Sequence, residues 1–79
     1  MKQADRHVES VLATLDILDC FLKDSSLTVK HLIDATGLTR NRVMRLTGTL
    51  VHKGYLSTDA DTGAFHAGPR VFALSRVFE

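Results

Sequence analysis

The feature that most constrains the fold of this chain is a very short connection between two amphipathic helical segments. Apolar residues recur at helical spacing before and after residues 36–39, which read Thr-Gly-Leu-Thr. Gly37 stands where a helix ends on a left-handed residue, and Thr39 stands where the next helix needs an N-cap. Thr28 occupies the same N-cap position before the first segment. Two helices joined by three or four residues including a glycine form a helix-turn-helix.

Another helix is predicted before this pair, over about residues 7–22. Its apolar residues follow the helical period, with Ile17 and Phe21 widening the stripe. The residues at helical spacing are Val8, Val11, Leu12, Leu15, Leu18 and Leu22.

After Gly54 the apolar pattern changes to period two, which predicts strands over 55–58 and 64–67. The turn between them has Gly63 at a predicted positive φ. Pro69 suits the first turn of a last helix, which carries Val71, Phe72, Leu74, Val77 and Phe78. The predicted fold class is mainly α with a small β-hairpin. In detail it is a winged helix-turn-helix with three helices, a two-stranded wing and the start of a linker helix.

The helix predicted over about 39–53 has two faces of different chemistry. With Val43 at the centre of the buried side, Leu46, Thr47 and Leu50 share that side. The opposite side carries Asn41, Arg45, Gly48 and His52, with Arg42 and Thr49 beside them. Arginine can grip a phosphate or pair with guanine through two hydrogen bonds, and asparagine can pair with adenine. Gly48 is unusual inside a helix; a close backbone approach or simple variation on an exposed face would each account for it.

The charge distribution also favours a nucleic-acid partner. The net charge is only +1, but no acidic residue lies between Asp34 and Asp59, where Arg40, Arg42, Arg45 and Lys53 lie. A basic patch on an otherwise neutral chain is typical of nucleic-acid binding, although a solvated helix face gives the same pattern.

The composition argues against several other functions. The four histidines have no zinc-site spacing, and the single cysteine, Cys20, lies in an apolar run typical of a small core residue. No phosphate-binding glycine loop and no nucleophile elbow is present. We therefore expect no enzyme activity, no cofactor and no metal. The chain has no signal peptide and no apolar run near 18 residues, so a cytoplasmic protein is expected.

The ordered set of short motifs resembles the N-terminal domain of IclR-type transcriptional regulators. The resemblance covers about residues 8–79, and each motif alone is weak. The matching residues are Gly37-Leu38, Val43, Arg45-Leu46, Thr49-Leu50, Gly54-Tyr55-Leu56, Asp59, Thr62-Gly63 and Gly68-Pro69-Arg70. The chain departs from the family at Met44, at Thr47-Gly48, and in the wing strand Ala64-Phe65-His66-Ala67, which lacks the usual Arg or Lys.

The resemblance implies a bacterial DNA-binding domain that acts as a homodimer on double-stranded DNA with a pseudo-palindromic operator. It also implies a separate effector-binding domain after a linker helix. The expected division is a flexible N-terminus over 1–7, the winged helix-turn-helix over 8–68, and the start of the linker helix over 69–79, truncated before the effector domain. The last helix is expected to pair two subunits, with plain packing onto the first helix as the alternative.

The residues therefore predict sequence-specific DNA binding, with the helix over about 39–53 in the major groove. The predicted DNA-binding residues are Thr28, Thr39, Arg40, Asn41, Arg42, Arg45 and Thr49. A winged-helix module that binds another protein is the alternative, because fold alone does not fix function. A regulator of the MarR type is a further alternative, which the short hairpin disfavours.

Overall fold

The computed structural model describes residues 6–77 of the chain. Within that range the helices and strands are α1 (Glu9–Asp19), α2 (Val29–Thr36), α3 (Arg40–Lys53), β1 (Leu56–Thr58), β2 (Phe65–Ala67) and α4 (Pro69–Val77). A 3-10 turn over Cys20–Leu22 continues α1. This order confirms the predicted fold class. Most of the N-terminal segment predicted to be flexible, and Phe78 of the last helix, lie outside the described residues.

Capping side chains set the ends of the helix-turn-helix. The Thr28 hydroxyl accepts a hydrogen bond from the His31 N–H at 3.2 Å, and the ring Nδ1 of His31 accepts from the Thr28 N–H at 3.0 Å. This capping box satisfies two backbone donors at the start of α2. Gly37 ends α2 at a φ of 77°, and the Thr39 hydroxyl accepts from a backbone N–H at the start of α3. The turn predicted from the sequence is therefore confirmed.

The core is thin and draws on nearly every element. One cluster of buried side chains joins α1, α2, α3 and the hairpin, and its members are Ile17, Leu27, Leu32, Val43, Leu50, Leu56 and Phe65. Leu27 and Phe65 also exchange two backbone hydrogen bonds, of 3.0 and 2.7 Å. The segment before α2 thus adds a one-residue bridge to the hairpin, which the sequence did not predict.

The apolar stripe predicted for α1 is only partly buried, because Ile17 is buried, Leu18 and Phe21 are half-buried, and the rest is exposed. The residues of α1 that the structure buries are Ala13 and Ile17, one turn apart. Most of the predicted stripe is exposed, namely Val8, Val11, Leu12, Leu15 and Leu22. Because α1 is apolar over most of its circumference, its periodicity cannot identify the stripe that faces the core. The small Ala13 side chain lies one turn before Ile17, which is fully buried.

The hairpin is tied together at its turn and at its base. Strands β1 and β2 pair antiparallel with Leu56 opposite Ala67. The Asp59 carboxylate accepts from the N–H groups of Asp61 and Thr62 at 2.8 and 3.2 Å. These two bonds hold the pKa of Asp59 below its ordinary value. They also hold the turn between β1 and β2 in shape.

A backbone contact at the base of the hairpin joins α3 to α4. Gly54 ends α3 at a φ of 87°, and its carbonyl accepts from the Arg70 N–H at 2.9 Å. The Gly68 N–H donates to the Tyr55 carbonyl at 3.0 Å. A Cβ atom on Gly68 would overlap the Gly54 carbonyl oxygen and lie 3.0 Å from the Leu56 carbonyl carbon. Only glycine fits at position 68.

No helix between residues 6 and 77 is long and apolar enough to cross a bilayer.

Substituting a crowded glycine, Gly68, and an open one, Gly48, tests this contact. We expect Gly68→Ala to lower the free energy of unfolding by about 1–3 kcal/mol, because the new methyl group meets backbone that cannot move aside. Gly48 lies inside α3, and a methyl group at that position would have nothing within 4 Å of it. Gly48→Ala should therefore raise stability by roughly 1 kcal/mol. Urea unfolding curves measure both, and equal midpoints for the two variants would contradict the assignment.

Candidate nucleic-acid interface

The burial of α3 separates its two faces as the sequence predicts. Val43, Thr47 and Leu50 are buried, and Leu46 is half-buried. The Thr47 hydroxyl is satisfied inside the core because it donates to the Val43 carbonyl at 2.7 Å. Of the residues predicted on or beside the opposite side, Arg42 is half-buried and the others are exposed, namely Asn41, Arg45, Gly48, Thr49 and His52.

The exposed face of α3 and the start of α1 enclose an open groove of 720 Å³. Its lining includes Arg42, Arg45 and Thr49, three of the predicted binding residues, together with Ser10 from α1. The whole lining is Ser10, Arg42, Met44, Arg45, Leu46, Gly48, Thr49 and His52. The groove therefore presents two arginines and no carboxylate among its lining residues.

The other predicted residues lie at helix starts. Arg40 and Asn41 are exposed in the first turn of α3, directly after the cap Thr39. Thr28 is half-buried at the start of α2. The two cap hydroxyls accept hydrogen bonds from their own helices, which leaves their protons for an outside acceptor. Backbone N–H groups at such helix starts favour anions.

Thr49 is engaged differently from the two caps. Its hydroxyl donates its only proton to the Arg45 carbonyl one turn earlier, at 3.0 Å. To donate to a phosphate, this hydroxyl must first give up that bond. Gly48, beside it, opens onto empty space, so no close approach within the described chain explains the missing side chain.

An ion pair that the sequence did not predict joins α1 to α3. The Oε1 atom of Glu9 accepts a hydrogen bond from Nη2 of Arg42. The pKa of Glu9 is lowered, first by that hydrogen bond and then by the positive charge of Arg42. The pKa of Arg42 is raised by the same bond. Because 33 positions separate the partners, no local pattern could have revealed the pair.

The wing offers no fixed positive charge on its strands. Ala64 and Phe65 are buried in the core, and Thr58 and His66 are exposed. The ring Nδ1 of His66 lies 3.2 Å from the Ala67 carbonyl oxygen.

Within residues 6–77, no three His, Cys, Asp or Glu side chains are placed to hold a metal ion.

Comparison with known proteins gives one family for most of the chain. The family's sequence model, that of the IclR helix-turn-helix domain, matches residues 10–60 of this chain. The HTH-type transcriptional regulator TsaQ1/TsaQ2 of Comamonas testosteroni is 40% identical over 67 residues, which are 85% of this chain and 24% of that protein. The HTH-type transcriptional regulator KipR of Bacillus subtilis is 35% identical over 60 residues, 76% of this chain and again 24% of the relative.

The solved structures give the same result. An IclR family transcriptional regulator from Brucella abortus superposes with a TM-score of 0.84 and 31% identity. The match covers 92% of this chain and 28% of that structure. This chain therefore spans about a quarter of the length of the curated relatives it matches.

The ion pair between α1 and α3 predicts a shifted titration. The Glu9 carboxyl should titrate at a lower pH in the wild-type chain than in the Arg42→Gln variant. Because its folded pKa lies below the ordinary 4.5, the stabilising contribution of Glu9 is present above the unfolded pKa. That contribution is lost as the pH falls through the folded value. Side-chain carboxyl ¹³C shifts followed by NMR give both midpoints.

Asp59 provides the control for this titration. Its pKa is lowered by backbone N–H groups of its own turn, which the substitution at Arg42 leaves in place. Its midpoint should therefore be the same in both proteins. Equal midpoints for Glu9 in the two proteins would show that the pair does not persist in solution.

Proposed function

The chain belongs to the IclR helix-turn-helix family of transcriptional regulators, and we propose that it binds operator DNA with α3 in the major groove. The observation that carries this proposal is the exposed face of α3, which presents Arg42 and Arg45 along an open groove. In a helix-turn-helix the second helix of the pair enters the major groove. Arginine side chains there can pair with guanine or grip phosphate.

Different residues take different roles in the proposed complex. Arg42 and Arg45 contact phosphate or guanine. Thr39, Arg40 and Asn41 at the start of α3 lie near the DNA backbone and the base edges.

Two threonines complete the proposed contacts to the sugar-phosphate backbone. At the start of α2, Thr28 donates its free hydroxyl proton to a phosphate, alongside backbone N–H groups. Thr49 contacts phosphate only after releasing its bond to the Arg45 carbonyl.

We further propose that the protein acts as a homodimer on a pseudo-palindromic operator. Except for Met44, the large apolar side chains that the structure exposes all belong to α4 or to the α1 segment, by which we mean residues 8–22. Leu15 and Leu22 from the α1 segment share one apolar groove with Val71 and Leu74 from α4. In this proposal a second copy of the chain covers this groove, since dimers of this fold place their two DNA-reading helices, here α3 of each copy, in successive major grooves.

The remaining parts of the proposal concern the whole protein. Residues 8–68 form the DNA-binding domain, and residues 69–79 begin a linker helix to an effector-binding domain that responds to a small molecule. The length of the curated relatives supports this arrangement. Such a protein works on the bacterial nucleoid in the cytoplasm.

Removing one arginine from the groove tests the DNA-binding proposal. We expect Arg45→Ala to weaken binding to a duplex selected from a random library by about 1–3 kcal/mol. If Arg45 contacts a phosphate, the slope of log K against log salt should also become shallower by roughly 0.9. Fluorescence anisotropy titrations over a salt series measure both quantities.

The control for this experiment is Lys23→Ala. Lys23 carries the same charge but follows the 3-10 turn at the opposite end of α1 from the groove. Its removal should change affinity and slope far less. Unchanged affinity of Arg45→Ala would remove that residue from the interface, and salt-independent binding would favour a protein partner instead.

A charge placed in the apolar groove tests the dimer. We expect Leu74→Glu to raise the dimer dissociation constant on the order of tenfold or more, because the new carboxylate loses water on association. Met44→Glu is the matched control, since Met44 is 52% exposed and Leu74 is 51% exposed. Met44 lies on the α3 groove and its substitution should leave the dimer intact. Sedimentation equilibrium showing a wild-type monomer at high concentration would contradict the proposal.

A further inference from the structure

Within residues 6–77, the one carboxylate that forms an ion pair with the basic face of α3 belongs to Glu9. Residues 35–58 contain no acid, so the sequence keeps negative charge off α3 itself. Glu9 precedes Ser10, which lines the groove, and it bonds Arg42, which lines it too. The pair thus stands at the rim of the proposed DNA interface.

The geometry of the pair leaves Arg42 able to do more than bind Glu9. A guanidinium has five N–H donors, and the contact with Glu9 uses one of the two on Nη2. The Arg42 side chain is 34% exposed and that of Glu9 is 71% exposed. The carboxylate therefore holds one end of the guanidinium, while the remaining donors of Arg42 are available to another acceptor.

The pair contributes little to folding, because two exposed charges in water gain little by meeting. Its larger effect falls on what Arg42 can bind. The negative charge of Glu9 repels a phosphate that approaches Arg42. The same charge repels a guanine edge far less, because the base carries no net charge. Holding the long side chain in one orientation also reduces the entropy lost when it pairs with a base.

We propose that Glu9 is a positioning residue that sets the selectivity of Arg42 for bases over phosphates. The carboxylate orients the guanidinium for pairing with a guanine and weakens its attraction for the phosphates of unrelated DNA. This inference rests on the proposed function, in which α3 occupies the major groove.

Two substitutions of Glu9 separate its charge from its hydrogen bond. Glu9→Gln keeps an oxygen acceptor for Arg42 and removes the charge, and Glu9→Ala removes both. The probes are a duplex selected from a random library with the wild-type chain and a scrambled duplex of equal length and composition. Fluorescence anisotropy over a salt series gives both affinities and both salt slopes.

We expect both variants to bind the scrambled duplex more tightly than the wild type at low salt. The slope of log K against log salt should steepen by up to about 0.9, since one more cation is free to neutralise phosphate. Glu9→Ala should in addition bind the selected duplex more weakly. Its ratio of selected to scrambled affinity should fall on the order of tenfold, the discrimination lost with one well-placed base pair contact.

Two controls assign the effect to Arg42. Asp34→Asn breaks the exposed pair with Lys30 on α2 and should leave the affinity ratio unchanged. In an Arg42→Gln background, Glu9→Ala should also leave the ratio unchanged. A ratio that still falls in that background, or that never falls in Glu9→Ala, overturns the inference.

The binding of the wild-type chain to the two duplexes separates a failure of the proposed DNA binding from a failure of the role proposed for Glu9. If it binds neither duplex with a steep salt dependence, the proposed function itself is overturned. If it binds both with a steep dependence while the Glu9 variants behave as the wild type does, only the role of Glu9 is overturned. Circular dichroism confirms that each variant is folded.

Discussion

The backbone contact between Gly54 and Gly68 is the constraint on which the rest of the molecule depends. It lies where α3 ends, where the hairpin closes and where α4 begins. Because the contact is between backbone atoms, no side-chain rearrangement can relax it. The direction of α4 is therefore fixed relative to α3. If α4 pairs two copies, the distance between their recognition helices follows from this contact.

The electrostatics of the interface depend on a charge that comes from outside the recognition helix. Seen alone, α3 is a basic helix without acids. In the fold, Glu9 reaches it from α1 and partly neutralises Arg42, while Arg45 forms no ion pair with any residue between 6 and 77. The two arginines of the groove are thus not equivalent. Arg45 is the stronger candidate for phosphate, and Arg42 is the stronger candidate for reading a base.

Local features of the fold could be predicted from the sequence, whereas contacts between distant segments could not. The caps Thr28 and Thr39 and the left-handed Gly37 act within a few residues, so their chemistry is visible in the chain. The faces of α3 were predicted correctly because Val43, Leu46 and Leu50 recur at helical spacing and together mark one side. The bridge between Leu27 and Phe65 and the pair between Glu9 and Arg42 need the folded chain to bring them together.

The exposed part of the apolar stripe on α1 belongs to the surface that the proposed dimer would cover. The periodicity of Val8, Leu12 and Leu15 indicates a face that avoids water, and the isolated domain leaves that face exposed. A domain this small buries only a limited share of its surface. Ala13 and Ile17 already occupy the side towards the core. In the proposed dimer, a second copy on the remaining side would remove these side chains from water.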